Sequence, residues 1–432
     1  MKDFAASSDP AVQRQLDRLA ALSLPQGRLG LEVVRDMLRR LGDPQLHLPP
    51  VFHVAGTNGK GSTCAYLAAM LEAQGLVVHS ATKPHLVRYN ERIRIAGRLI
   101  EDALLAQLLA EVLDASEDLQ PSFFEVTTVA TFLAFARNPA DACVIEVGLG
   151  GRLDATNVLE HPAATAIASL GVDHEAFLLV PEDGAPSEPL VRIAFEKAGI
   201  ARAGAPMVTQ AYAEGMELEI ARLCAAAGAP LHMRGVDWWA EIGEDSIEYR
   251  DRHGALTLPL PALPGRHQGD NAALAVAVLR HQDRVSVDPA ALAEGIRAAR
   301  WPARLQLLGT GPLTARAPGR AIWLDGGHNA DAGLAIARHF AGQRVHLVIG
   351  MLANRDPQAI IAPLAGSIAT LSAVPIQGSA AHPAEAYGAE ARWHDSVAEA
   401  LDALPADDLP VLIAGSLYLA GKVLAANGEA PD

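Results

Sequence analysis

At 432 residues the chain is longer than a single apolar core usually organises, so two domains are expected. Half of it is apolar and 20% is charged, and no window approaches roughly eighteen apolar residues without Gly, Pro or charge, which argues against a membrane-spanning helix. A formal net charge of -15 argues against phosphate-backbone binding as the main task, since nucleic-acid affinity rests on cationic neutralisation; any anionic ligand must be met locally.

The first residues, "MKDFAASSDPAVQRQ", lack the apolar run of a secretory signal, which points to the cytoplasm. Cys64, Cys143 and Cys224 are widely spaced and odd in number, so reduced thiols are expected in place of a disulfide framework or a zinc site. Only five of the 35 Lys and Arg residues are lysines: Lys2, Lys60, Lys83, Lys197 and Lys422. Lysine alone offers a compact ammonium, a tunable pKa and a nitrogen that can be carboxylated. Three of the five fall inside the motifs below.

In chain order, "VFHVA" (51–55) is a short apolar run entering a glycine turn, and "STCAYLAAMLEAQG" follows with helical spacing closed by Gly75. This is strand, phosphate-type loop, helix. "DACVIEVGLGG" (141–151) and "AATAIASLGVDH" (163–174) read as buried strands whose carboxyl ends carry Glu146 and the pair Asp173 and His174. Ligands of open parallel sheets gather beyond such strand ends, so the three polar motifs suggest one crevice. "LLVPEDGAPSEPL" (178–190) reads as an exposed loop.

From about 230 to 262 the alternation in "VDWWAEIGEDSIEYRDRHGALTLPL" predicts a small antiparallel patch. "LPGRHQGDNAALAVAVLRHQ" then starts a helix, with Asp270 or Asn271 expected near its cap. After a Trp-Pro break, "RAIWLDGGHNADAGLAIARHFAG", "RVHLVIGMLANRDPQAIIAPLAG" and "LPVLIAGSLYLAGKVLAANG" repeat strand and helix, which predicts a second, Rossmann-like parallel α/β unit. The boundary is placed near 298, dividing 1–298 from 299–432.

The loop "HVAGTNGKGST" (53–63) misses the strict mononucleotide signature, because position 54 is Val and Gly61 separates Lys60 from Ser62. Its chemistry still suits phosphate. Thr57, Asn58, Gly59, Lys60 and Gly61 offer backbone N–H groups and an ammonium at a helix start, and Ser62 or Thr63 offers a hydroxyl for magnesium. A glycine-rich helix start alone is often only a tight turn; Lys60 and the paired hydroxyls favour nucleotide binding.

"HVAGTNGKGST" resembles the ATP loop of the Mur ligase superfamily, in which a glycine separates lysine from hydroxyl. Gly61 is then expected to carry the backbone around the phosphates before the helix presents Ser62. The ordered set "KPHLVRYNERIRIAG", "SFFEVTTVATFLAF", "IEVGLGGRLDATNV", "GVDHEAF", "FEKAGI", "LPGRHQGDNAALA", "WPARLQ", "LDGGHNADA" and "IAGSLYLAG" resembles dihydrofolate synthase/folylpolyglutamate synthase over roughly residues 30–425. A Mur peptidoglycan ligase generally has an additional N-terminal domain, for which the fifty or so residues before the loop are too few. A P-loop switch or transport ATPase would leave "LDGGHN" unexplained.

The resemblance implies an ATP-binding domain over 1–298 and a glutamate-ligase domain over 299–432. It also implies a reaction in which ATP phosphorylates a carboxylate and the amine of L-glutamate displaces the phosphate. ATP, two magnesium ions and room for a monovalent cation follow, with dihydropteroate and folates as substrates, no nucleic-acid or membrane partner, and a monomer as the working form.

Residue by residue, Glu146 and His174 are implied as magnesium ligands, and Lys197 in "RIAFEKAGI" as a carbamate that bridges toward a second magnesium, against the plainer expectation of a solvated lysine. Lys83 departs from the pattern, in which a serine before "PHL" helps hold the metal. An ammonium repels magnesium at close range, so either one ion is held differently or Lys83 neutralises phosphate itself, the reading favoured here. Arg88 and Arg92 are candidates to pair substrate carboxylates. Ser122, Asp154 and Ala155 are candidates on the pteroate side, with Phe124 suited to stack on a flat pterin although a core Phe is the default. Asn271, Arg304, Asp325 and His328 are implied around the nucleotide, with the C-terminal unit closing over it.

Overall fold

In the computed structural model, which describes residues 6–22, 30–376, 378, 380 and 382–431, Val51–Ala55 forms β1 with all five residues buried. A strand covered on both faces needs an apolar run of this kind. Around it the chain adds β2 (Val78–Ala81), β3 (Ile93–Ile95), β4 (Arg98–Leu99), β5 (Ala142–Glu146), β6 (Ala164–Ile167), β7 (Met207–Thr209) and β8 (Leu231–Met233). These lie in the order β4-β3-β2-β5-β1-β6-β7-β8. β2, β5, β1, β6, β7 and β8 run parallel, and β3 and β4 close one edge antiparallel.

Two apolar clusters cover this sheet. One gathers Cys143 and Ile145 with the helices Pro10–Ala21, Glu32–Arg40, Asp102–Ala115 and Phe123–Arg137; the other gathers Ala55 and Ile167 with Pro189–Ala198 and Glu214–Ala227. The predicted antiparallel patch is present as β9 (Trp238–Ile242), β10 (Ser246–Asp251) and β11 (Gly254–Pro259). The segment 178–190 is less detached than expected, because Glu182 is anchored by Arg152 and Arg192.

The main division of the chain falls after Ala299, and two short stretches, His85–Arg88 and Leu263–His267, belong with the second unit. That unit is a sheet in the order β12-β13-β17-β14-β15-β16, comprising β12 (Gln306–Leu307), β13 (Ile322–Leu324), β14 (Val345–Ile349), β15 (Ile368–Ala373), β16 (Arg392–Trp393) and β17 (Val411–Ala414). Its pairings are parallel except β12 with β13. Alternate residues feed separate clusters: Val348 and Ile413 pack with the helix Leu417–Asn427, while Leu347, Ile349 and Leu412 pack with Ala330–His339 and Gln358–Leu364. Period-two alternation between two apolar layers is what a sheet covered on both sides requires.

Two local expectations are corrected. The helix after the phosphate loop already begins at Lys60, with Gly59 before it at φ +81°, so Gly61 lies inside the first turn and does not extend the loop. The helix Arg266–Arg280 begins five residues before Asn271, so Asp270 and Asn271 sit in its second turn and not at a cap. The turn at Gly265, with φ +99°, lets the helix start early.

Gly295 on the helix Pro289–Ala298 meets the phosphate-loop helix Lys60–Ala73, and a methyl built on it would lie 2.5 Å from both N and Cα of Met70. Overpacking of this sort costs about 1–3 kcal/mol. Gly295→Ala is therefore expected to lower the urea midpoint of unfolding, and Gly295→Leu to lower it further; unchanged midpoints in both would show that the two helices separate freely.

Candidate active site

Parallel register brings four carboxyl ends to one edge, in the sheet order β2, β5, β1, β6. Beyond β1 runs Gly56-Thr57-Asn58-Gly59; beyond β5, after Glu146 at its last position, runs Val147–Gly151; beyond β6 come Asp173 and His174; beyond β2 comes Lys83. Gly56, Thr57, Lys60, Gly148, His174 and Lys197 are among the residues lining one concave site there. This is the place at which an open parallel sheet binds ligands.

The phosphate loop is tied to its neighbour. Thr57 N donates to the Ser169 carbonyl at 2.7 Å, Thr57 Oγ1 donates to the Gly171 carbonyl at 2.8 Å and accepts from Gly171 N at 3.1 Å, and Ser169 Oγ donates to the Asn58 carbonyl at 3.1 Å. Lys60 Nζ is folded onto the loop itself, donating to the carbonyls of Gly56 at 2.9 Å and Thr57 at 3.1 Å. Asn271 crowds the turn at Gly59: a Cβ there would meet Asn271 Oδ1 at 2.4 Å, so a glycine is needed both for φ and for space. Ser62 and Thr63 are buried in the first turn of the helix, and among the described residues Thr63 Oγ1 has no hydrogen-bond partner.

Lys197 is 4% exposed, so the expectation of a solvated lysine fails. Its helix is clamped to the loop after β5, where Gly151 approaches so closely that a Cβ would lie 2.8 Å from the Glu196 carbonyl and 2.9 Å from that of Lys197. Arg152 N donates to the Glu196 carbonyl at 2.7 Å, and Arg152, Glu182, Arg192 and Glu196 form an ion-paired network at 2.6 to 2.9 Å. Burial, reinforced by the Lys60 ammonium, pulls the Lys197 amine from 10.5 to about 7 against the attraction of Asp173, Asp154 and Glu196.

Asp154 is buried and held by its own turn. Oδ2 accepts from Leu149 N at 2.8 Å, and Oδ1 accepts from Thr156 Oγ1 at 2.6 Å and Thr156 N at 3.0 Å. Thr156 Oγ1 in turn lies 2.8 Å from His53 Nε2. Since the threonine proton goes to Asp154, the imidazole donates, and burial holds His53 neutral down to about 3. Although burial works the other way, the nearby Lys83 ammonium and these hydrogen bonds leave the Asp154 carboxyl below its ordinary value. Lys83 itself donates its backbone N–H to Glu146 Oε2 at 2.9 Å.

Other sequence candidates lie as follows. His174 adopts φ +55° beside Asp173, whose Oδ1 accepts the His174 N–H at 2.7 Å. Arg92 is 2% exposed, its guanidinium 5.3 Å and 5.5 Å from the ring centroids of Tyr89 and Phe123, whereas Arg88 is exposed and belongs with the second unit. Ser122 caps the helix Phe123–Arg137 in a reciprocal box with Glu125. Phe124 is 38% exposed, so the default core reading does not hold for it, and Ala155 packs partly against the core. In the second unit Asp325 follows β13 and accepts from Leu305 N at 2.8 Å and Gly327 N at 2.6 Å. Arg304 stands between Ala303 and Leu305, which hold φ of +55° and +45°, a backbone cost that persists only where surroundings over-determine it. His328 Nδ1 lies 3.1 Å from the Gly326 carbonyl.

Among the described residues no group of three or more His, Cys, Asp and Glu side chains could hold a metal ion by itself. Magnesium asks for less, since it keeps waters and takes one or two carboxylates together with phosphate oxygens. Glu146 at a strand end and the buried Ser62 hydroxyl one strand away, beside a loop of phosphate-binding form, fit that demand. The Arg152–Glu196 network and the His53–Thr156 link were missed in the sequence; only the four-residue spacing of Arg192 and Glu196 on one helix hinted at either.

No family model matches the chain. It is 35% identical over 411 residues to dihydrofolate synthase/folylpolyglutamate synthase of Escherichia coli, covering 92% of this chain and 90% of that protein. Escherichia coli FolC in complex with DHPP and ADP superposes with a TM-score of 0.84 at 32% identity, over 97% of both chains. A bifunctional folylpolyglutamate synthase/dihydrofolate synthase with Mn, AMPPNP and L-glutamate bound superposes with a TM-score of 0.83 at 31% identity, over 99% of both.

The His53 link has a measurable sign. In the unfolded chain the imidazole protonates near its ordinary 6.5, in the folded protein only near about 3, so its contribution to stability is complete above 6.5 and is lost as pH falls towards 3. Across that window the unfolding free energy of His53→Gln should fall less steeply with acidification than that of wild type; identical slopes would mean His53 does not titrate differently on folding.

Proposed function

The chain belongs to the dihydrofolate synthase/folylpolyglutamate synthase family, and from that premise we infer how its residues share the work of attaching L-glutamate, at the expense of ATP, to dihydropteroate and to reduced folates. The observation that carries the reading is the meeting of the phosphate loop, Glu146, Asp173 with His174, and Lys83 at four neighbouring strand ends. In the reaction a substrate carboxylate takes the terminal phosphoryl group of ATP as an acyl phosphate, and the glutamate amine displaces phosphate to leave an amide.

Lys60 exchanges the carbonyls of Gly56 and Thr57 for phosphate oxygens, while the N–H groups of residues 57–61 at the helix start contribute further positive potential. Magnesium, when bound, neutralises charge on the transferred phosphoryl group. Ser62, Glu146, His174 and Lys197, the last as a carbamate, are the residues that would hold it. Arg88 or Arg92 meets a substrate carboxylate; Ser122, Phe124, Asp154 and Ala155 serve the pteroate side; Asn271 serves the nucleotide, as do Arg304, Asp325 and His328 of the second unit. The enzyme works as a cytoplasmic monomer on small molecules.

Lys197 serves as a carbamate. Its neutral amine attacks the carbon of carbon dioxide, the N–C bond forms, and the nitrogen sheds a proton to leave an anionic pair of oxygens. An amine at its ordinary 10.5 would be almost wholly charged at neutral pH, whereas one at about 7 offers a large neutral fraction. Burial beside Lys60 thus supports the modification.

ADP release should require ATP, glutamate and either dihydropteroate or tetrahydrofolate, and omission of any one class should abolish it; release without glutamate dependence would make the chain a plain ATPase. Lys60→Ala is expected to cost about a hundredfold or more in kcat. Lys197→Ala should lose activity and recover part of it with added acetate or formate. No recovery, together with an intact mass lacking a labile carboxyl adduct in wild type, would remove the carbamate.

A further inference from the structure

β2 and β5 pair in parallel with Ala81 opposite Ile145, so the chain beyond β2, Thr82 and Lys83, runs beside Glu146 and Val147. The backbone N–H of Lys83 is fixed on Glu146 Oε2. Its side chain passes over Gly148, where a Cβ would meet Lys83 Cδ at 3.3 Å and Nζ at 3.6 Å, and Asp154 Oδ2 at 3.1 Å. Glu146, Asp154 and the Arg92 guanidinium are the charged groups that act on this ammonium. Asp154 already accepts three hydrogen bonds from its own turn, and Glu146 is 4% exposed, so both carboxylates are enclosed, and both attract the Lys83 ammonium.

We propose that the Lys83 ammonium is the built-in counter-cation of Glu146 and Asp154 and excludes a divalent ion from the β2 side of Glu146, so that one divalent ion fewer is bound than a neutral oxygen donor at position 83 would permit. An ammonium has no lone pair with which to ligate a metal, and its charge opposes a second cation at close range. A carboxylate neutralised by a fixed side chain has less need of a mobile ion. The proposal rests on the reading of Glu146 as a metal ligand.

The test is the stoichiometry of Mn2+ binding to the full chain with AMPPNP, followed by the loss of the free-ion EPR signal, in wild type, Lys83→Ser and Lys83→Arg, with circular dichroism to establish folding. Lys83→Ser supplies a neutral hydroxyl and is expected to bind one more Mn2+ per chain than wild type; Lys83→Arg keeps the charge and should match wild type. Equal stoichiometry in wild type and Lys83→Ser overturns the proposal, as does a gain in Lys83→Arg equal to that in Lys83→Ser. Glu146→Gln separates the two readings. If it leaves Mn2+ binding untouched, Glu146 is not a ligand and the proposal falls with that reading; if it weakens binding while wild type and Lys83→Ser agree, the proposal alone falls.

Discussion

The site depends on charge placed at the buried edge of a parallel sheet, where no group is far from an opposite one. Lys197 lies within reach of Asp173, Asp154 and Glu196, Lys83 within reach of Asp154 and Glu146, and Arg152 and Arg192 each hold Glu196 and Glu182. Taking any one of these ions out of water alone would cost several kcal/mol, of order the stability of a whole domain. For Arg152, Arg192, Glu182 and Glu196 the cost is tolerable because hydrogen-bonded partners arrive from separate segments of the chain. The same arrangement leaves one amine, Lys197, with its charge only weakly favoured.

Close backbone approach is what lets these groups meet. Gly151 admits the carbonyls of Glu196 and Lys197, Gly148 admits the Lys83 stem, and Gly59 admits the Asn271 amide. A Cβ at Gly151 would push two backbone segments apart, whereas at Gly148 and Gly59 it would displace the side chains of Lys83, Asp154 and Asn271. The phosphate-loop helix is held in the same way from behind, by Gly295 against Met70. Glycines here act less as hinges than as missing atoms, so the edge is rigid where it would hold a triphosphate.

The second unit stores its constraint differently. Asp325 spends both carboxylate oxygens on the N–H groups of Leu305 and Gly327, and so secures the strained turn that carries Arg304. Two left-handed non-glycine residues flanking one arginine persist only because that carboxylate over-determines the turn. The backbone at Arg304 is thereby fixed by the fold itself.

Apolar periodicity in the sequence was enough to determine the two α/β units, the antiparallel patch and the strand that ends at Glu146, and the glycines and Lys60 marked the phosphate loop, because these depend on residues near one another in the chain; Asp173 and His174, read as the end of the next strand, lie six and seven residues beyond its last residue, Ile167. The order of motifs likewise made the family recognisable. Helix starts were less legible: the turns at Gly59 and Gly265 begin their helices earlier than the local pattern implied, since a positive φ set by a glycine overrides a nearby capping residue. Lys197 is buried against expectation, and the links Arg152–Glu182, Arg152–Glu196 and His53–Thr156 join residues 30, 44 and 103 positions apart. Only the tertiary structure decided these, because desolvation and charge pairing depend on which strand ends become neighbours, and the sheet order that brings them together is not written in any local stretch.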